Sequence, residues 1–161
     1  MLKGENILLR PLKATDLDFL FTIENDTSNW QFGSEKKQYT KTEFLEYIAN
    51  ANTSIELAKQ YRFVIDKNQK PIGFIDLFDY KNNTAGVGII IAKNYRKQGF
   101  AKDALKVLID YAFSEIKITK LHCEITNDNL ASIKLFTSCG FEMEREENGL
   151  RYFIRFVEKK K

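Results

Sequence analysis

The chain carries one histidine, His122, and two cysteines, Cys123 and Cys139, in 161 residues. Two cysteines build neither a disulfide framework nor a thiolate zinc centre, and no metal site is expected. A Cys–His nucleophile would have to come from the neighbours His122 and Cys123. Neighbours on a strand point to opposite faces, so "KLHCEIT" reads instead as a half-buried strand with one thiol inside. No apolar run exceeds a few residues, which excludes a membrane-spanning helix. The opening "MLKGENILLRPLK" has neither the apolar core nor the cleavage site of a signal peptide, so a cytoplasmic location and no membrane partner are expected. The 25 basic and 22 acidic residues nearly cancel, at a net charge of +3. That balance does not call for nucleic acid, and the closing "EKKK" reads as a solvated terminus.

What remains is an ordinary globular composition, 43% hydrophobic and 29% charged, long enough for one domain over residues 1–161. "NILLRPL" predicts a first strand. "TDLDFLFTIEN" predicts a helix that Thr15 can cap. "DTSNWQFGSEKKQY" predicts a loop. "TKTEFLEYIANAN" predicts a second helix, with Thr40 and Glu43 spaced as a capping box. "QYRFVID", "PIGFIDLFDY" and "AGVGIIIA" predict three strands separated by short polar turns. From Phe100 to Phe113, Ala101, Ala104, Leu105, Leu108, Ile109 and Ala112 recur at helical spacing. "KLHCEIT" is a strand, and "NLASIKLFTSC" a short helix that Asn129 can cap and Gly140 can end. "FEMEREE" and "LRYFIRFVE" alternate around Asn148-Gly149 as a closing hairpin. The order gives a mixed α/β (α+β) fold.

The stretch "NYRKQGFAKDAL" lies between a central strand and the longest helix. A helix N-terminus offers unpaired N–H groups and the positive end of the helix dipole, which attract phosphate. Gly99 lets backbone come close to a ligand, Ala101 keeps the wall small, and Arg96 and Lys97 add positive charge. The segment reads as an anion cradle. It is neither GxxxxGK[ST] nor GxGxxG.

Downstream, "NDNLASIKLFTSCGF" forms a second strand-to-helix junction that ends in Gly-Phe. With this pairing the chain resembles the GNAT superfamily of N-acetyltransferases. Arg96, Lys97, Gln98, Gly99, Phe100 and Ala101 match its (R/Q)xxGxG/A motif, and Asn129, Ser132, Leu135, Gly140 and Phe141 match the motif that follows. "LLRPLKATDLDFL", "RFVID" and "PIGFIDL" resemble the branch that includes ribosomal-protein and spermidine acetyltransferases. The resemblance implies a central mixed sheet of about six to seven strands with two splayed parallel strands, flanked by about four helices. It implies acetyl-CoA as co-substrate. Backbone from Lys97 to Lys102, with Arg96 nearby, would hold the pyrophosphate. The pantetheine arm would lie along Ile89, Ile90 and Ile91, and Asn129 would touch it.

Two departures from that family stand out. Phe136 occupies the position where many relatives have a tyrosine acid, and Gly86 the position where many have a glutamate. The carboxylates left near the expected cleft are Glu24, Asp26, Asp76 and Asp79. Asp79 is the first choice for amine binding or proton removal and Glu24 the second, with Asp76 and Trp30 at the acceptor wall together with Phe32. In an unbroken strand Asp76 and Asp79 would face opposite sides. The acceptor implied is a primary amine, of polyamine or diamine type, or the N-terminal α-amine of a peptide. A CoA-binding module with weak chemistry and a nucleotide-binding regulator are the other classes. The exposed edge of the closing hairpin allows a homodimer.

Overall fold

The computed structural model describes residues 1–26 and 39–157. The expected loop aromatics Trp30 and Phe32 lie outside them. The chain begins with a two-residue strand β1 (Leu2–Lys3) and β2 (Leu8–Pro11), then a 3-10 turn (Ala14–Asp16) that runs into α1 (Leu17–Asn25). Next come α2 (Lys41–Asn50), a one-turn α3 (Ile55–Ala58), β3 (Tyr61–Lys67), β4 (Lys70–Lys81) and β5 (Thr84–Ile91). A 3-10 turn (Lys93–Tyr95) leads to α4 (Phe100–Ser114), followed by β6 (Lys120–Thr126), α5 (Leu130–Ser138), β7 (Glu142–Glu147) and β8 (Leu150–Phe156). The eight strands form one sheet in the order β1-β2-β3-β4-β5-β6-β8-β7. The fold is the expected mixed α/β one, with one more strand and one more helix than the sequence signalled. Strand β1 and helix α3 are too short to show a period. No helix among the described residues is long and apolar enough to cross a membrane.

The sheet separates two cores. On one face Leu12, Leu20, Ile23, Phe44, Ile48, Val64 and Phe74 pack together, using the buried stripes of α1 and α2. On the other, Phe100, Ala104, Leu105, Leu108, Ile109 and Ala112 of α4 meet Ile65, Ile75, Leu77, Val87 and Leu121. Strand β4 is covered on both sides, which explains its nearly unbroken apolar run. Every pairing in the sheet is antiparallel except β5 with β6. That parallel ladder holds only Thr84–Lys120, Ala85–Leu121 and Gly86–His122.

Local signals behave as expected where the partners are local. Thr40 Oγ1 accepts the Glu43 N–H at 3.2 Å, and Glu43 Oε1 accepts the Thr40 N–H at 3.1 Å, closing the capping box of α2. Asn148 and Gly149 take φ values of 52° and 81°, as the two-residue hairpin turn requires. Thr15, by contrast, does not cap α1. Asp16 accepts the Lys13 N–H at 2.9 Å, and its carboxylate is drawn inward to a bidentate pair with Arg10, both bonds 2.8 Å. Arg10 Nε also donates to Asp66 Oδ2 at 2.7 Å. All three side chains are buried, with Asp16 only 2% exposed.

At the far edge, all six residues of β7 are exposed, and five of them are charged. Charged edges oppose strand-to-strand pairing between copies. Pairing of this edge between copies would have to bring these charges together.

Removing one partner of the buried ion network should be costly. Asp16→Ala leaves Arg10 with half its compensation and should lower unfolding free energy by about 3–5 kcal/mol in urea titrations. Arg10 holds the Asp16 carboxyl below its usual range despite burial. Its contribution to stability is therefore present above the ordinary carboxylate range and is lost as pH falls through the lowered folded value. The variant should lose that part of the acid-side dependence.

Candidate active site

The loop before α4 is shaped by two left-handed residues. Lys97 has φ 63° and Gly99 φ 86°, so successive N–H groups turn inward as a concave nest at the start of α4. The first helical bond runs from Asp103 N–H to the Gly99 carbonyl at 3.1 Å. The N–H groups of Phe100, Ala101 and Lys102 precede it and are available to a ligand. A Cβ added at Gly99 would meet nothing within 4 Å, so the space in front of the nest is open.

The side chains of the motif serve the loop more than the cradle. Arg96 Nε donates to the Ile91 carbonyl at 2.8 Å, and Gln98 Nε2 to the Asn94 carbonyl at 3.0 Å. Phe100 turns into the core under the Lys67 ammonium, 5.5 Å from the ring centre, so its contribution to a ligand is limited to its backbone. Lys97 and Lys102 are exposed beside the nest. On the opposite side, Asp103 accepts the N–H groups of Glu5 and Asn6 at 2.9 and 2.7 Å, which ties the first turn of the helix to the N-terminal turn.

After Gly86, strands β5 and β6 part. Ile89, Ile90 and Ile91 stay paired with Ile75, Phe74 and Gly73 of β4, but their β6-facing edge carries no strand. An extended amide-bearing arm can bond there as an added strand. Asn129 begins α5 beyond the gap, and its Oδ1 accepts the Ser132 N–H at 3.2 Å. Its amide nitrogen is the group left to contact such an arm. Nest, open edge and Asn129 together fit a long cofactor with a phosphate-bearing end.

The expected carboxylates do not share one place. Asp76 pairs in register with Gly88, and a Cβ added at Gly88 would meet the Asp76 Oδ1. The carboxyl therefore lies directly over β5 where the gap opens. Across the sheet Asp76 neighbours Arg62, whose Nη1 bonds Glu24 Oε1 at 2.8 Å. The Arg62 guanidinium stacks over Phe74 at 5.1 Å and Tyr47 at 5.8 Å. Burial, aided by Glu24 and opposed by Arg62, pushes the Asp76 carboxyl up to about 6. Asp79 sits three residues on, but β4 is not an unbroken strand there. The register shifts between Phe78 and Lys81, and Asp79 takes φ 50°. The simple alternation expected of Asp76 and Asp79 does not apply, and Asp79 is exposed at the closed end of the gap. The Gly86 position offers no room for a side chain, because the Phe78 ring fills it. Phe136 is buried edge-on against Phe141, centroids 5.0 Å apart. Cys139 and Cys123 are buried too, and burial pushes the Cys123 thiol up to about 12, which removes it from proton transfer. Arg62, Tyr47 and Gly88 were not singled out in sequence. An arginine in the apolar "YRFVI" and glycines two apart in "AGVG" were the available signals.

The family model described as an acetyltransferase (GNAT) domain matches residues 6–142. The chain belongs to this family. The acetyltransferase is 28% identical over 144 residues to spermidine N(1)-acetyltransferase of Vibrio cholerae, covering 88% of this chain and 82% of the relative. It is 26% identical over 148 residues to that of Escherichia coli, covering 91% and 78%. Among solved structures, the Vibrio cholerae spermidine N-acetyltransferase in complex with CoA and spermine superposes with a TM-score of 0.84. It is 23% identical and covers 95% of this chain and 96% of that one. A GNAT-family acetyltransferase from Bacillus anthracis gives 0.82 at 16% identity, covering 96% and 97%. The acetyltransferase is thus an acetyl-CoA-dependent N-acetyltransferase.

Gly99→Glu should weaken CoA binding at least about tenfold by calorimetry, because a positive φ in a side-chain-bearing residue costs of order 1–3 kcal/mol and the new charge opposes phosphate. A folded variant with unchanged CoA affinity would remove the nest from the binding site.

Proposed function

We propose that the acetyltransferase acetylates a primary amine of polyamine or diamine type. The observation that carries the reading is the Asp76 carboxyl lying over Gly88 at the mouth of the gap, with Glu24 behind Arg62 and Asp79 at the closed end. Three carboxylates against one guanidinium leave this wall net negative, which suits a cationic acceptor. In this reading the nest from Lys97 to Lys102, the free edge of Ile89, Ile90 and Ile91, and Asn129 hold acetyl-CoA, which supplies an activated acetyl group. Asp76 and Asp79 hold and orient the ammonium, and Arg62, fixed by Glu24, keeps Asp76 in place. Holding both reactants in one geometry can remove on the order of 7–11 kcal/mol from the barrier. The spermidine-acetylating relatives support the acceptor class.

Thiol release from acetyl-CoA should be fastest with spermidine, spermine and putrescine among a panel that also holds small amino compounds and peptides with free N-termini. Preference for the peptides would move the assignment to an N-terminal α-amine. Asp79→Asn should lower turnover with little change in CoA affinity. As pH falls through about 6, Asp76 takes up a proton and loses its charge, so the amine KM should rise; in Asp76→Asn the KM should be high and flat across that range.

A further inference from the structure

The amine reading leaves a proton unassigned, because the two positions where relatives carry an acid or a base hold Phe136 and Gly86. We propose that His122 accepts the proton of the acceptor ammonium. This inference rests on the amine-acetylation reading. His122 is the last residue of β6 paired with β5, opposite Gly86, and therefore stands at the vertex where the two strands part. Its ring meets the Phe78 ring edge-on at 6.2 Å, which puts it on the Phe78 and Asp76 face of the sheet. Strand β5 has glycine at 86 and 88, both on this face, and the Phe78 ring and the Asp76 carboxyl of β4 lie over them. His122 and, by strand alternation, Glu124 face these side chains from β6. An acceptor nitrogen brought by Asp76 to a thioester in the gap would come to the same face of the sheet as the imidazole.

The other flank of His122 opens on a cavity of about 180 Å³ lined by Lys120, Glu124, Glu144, Arg145 and Tyr152. It has room for a few waters and polar groups to bind them, which gives the imidazole an outlet for the proton. Burial and Lys120 hold the imidazole below its ordinary range, while Asp79, Glu124 and Glu144 pull the other way. The lowering favours the neutral ring, the form that can accept a proton.

The step balances. An ammonium N–H breaks and its proton passes to the imidazole nitrogen. The freed lone pair forms the N–C bond to the acetyl carbonyl carbon, and the C–S bond breaks with its electron pair leaving on sulfur. The second proton lost by nitrogen goes to that sulfur, and the imidazolium releases its own to the cavity water.

Because His122 is the only histidine, its imidazole NMR signals need no assignment. Two measurements test the proposal. With the best amine found, His122→Gln should lower kcat about 100-fold with unchanged CoA affinity, in the range of a lost general base. The fall of wild-type kcat at low pH should track the NMR titration of the ring and be absent from the variant, which a merely structural role would not produce. Separately, adding CoA to the wild-type protein should shift the imidazole signals, whatever the acceptor. A kcat within about twofold of wild type, or signals that CoA leaves unmoved, overturns the proposal. If no amine is acetylated the amine reading fails, and the imidazole shift alone still decides whether His122 faces the gap.

Discussion

Three backbone pairings hold β5 to β6, and the rest of the molecule depends on their stopping at Gly86. A parallel pair that continued would satisfy its own N–H and C=O groups and leave nothing for a ligand. By parting, the strands expose a polar edge in the middle of a sheet, where an unpaired backbone is costly unless something bonds to it. The rest of the sheet bears that opening. Strand β5 keeps its pairing with β4 through Ile91, and helix α4 packs its apolar stripe beneath. The nest at Gly99 follows because the chain must turn from the end of β5 into α4 within a few residues. The same parting therefore positions both the open edge of β5 and the nest.

The two faces of the sheet divide the work. The α4 face is a continuous hydrophobic core, and its job is to hold the splay rigid. The other face is apolar only under α1 and α2. Toward β5 it turns polar, with Arg62 set among aromatic rings and bonded to Glu24, and Asp76 laid over a glycine. A charge placed so deep needs a partner, and Arg62 supplies one without cancelling the wall's negative balance. The glycines of β5 are consistent with this arrangement. Side chains at 86 and 88 would collide with Phe78 and Asp76, so the strand that borders the gap gives up its own side chains to those of its neighbour.

Family features that are missing in sequence look different in space. Gly86 is not an empty position, since the Phe78 ring occupies it, and Phe136 completes a core pair with Phe141. Both sites have been turned to packing. The ionisable groups that face the gap come instead from β4 and β6, one strand away on either side.

The amino-acid sequence alone determined whatever depends on near neighbours in the chain. The capping box of Thr40 and Glu43, the Asn148-Gly149 turn, the stripe of α4 and the Gly99 nest all close within a few residues, and each was legible from spacing. The mixed fold followed from the order of such elements, and the acetyl-CoA end of the site from the resemblance of the two glycine-containing junctions to the family's motifs. What only the tertiary structure decided were matters of register and distant pairing. Thr15 does not cap α1, and Asp16 at the helix start turns its carboxylate to the buried Arg10 instead. The bulge at Asp79 broke an alternation that a regular strand would have kept. The alignment of β4 on β5 set Asp76 over Gly88, and that of β6 on β5 brought His122 to the vertex. Side-chain period is a property of one strand, but which side chain faces which is set by the hydrogen-bond register between strands. That register arises only when the whole sheet closes over its two cores.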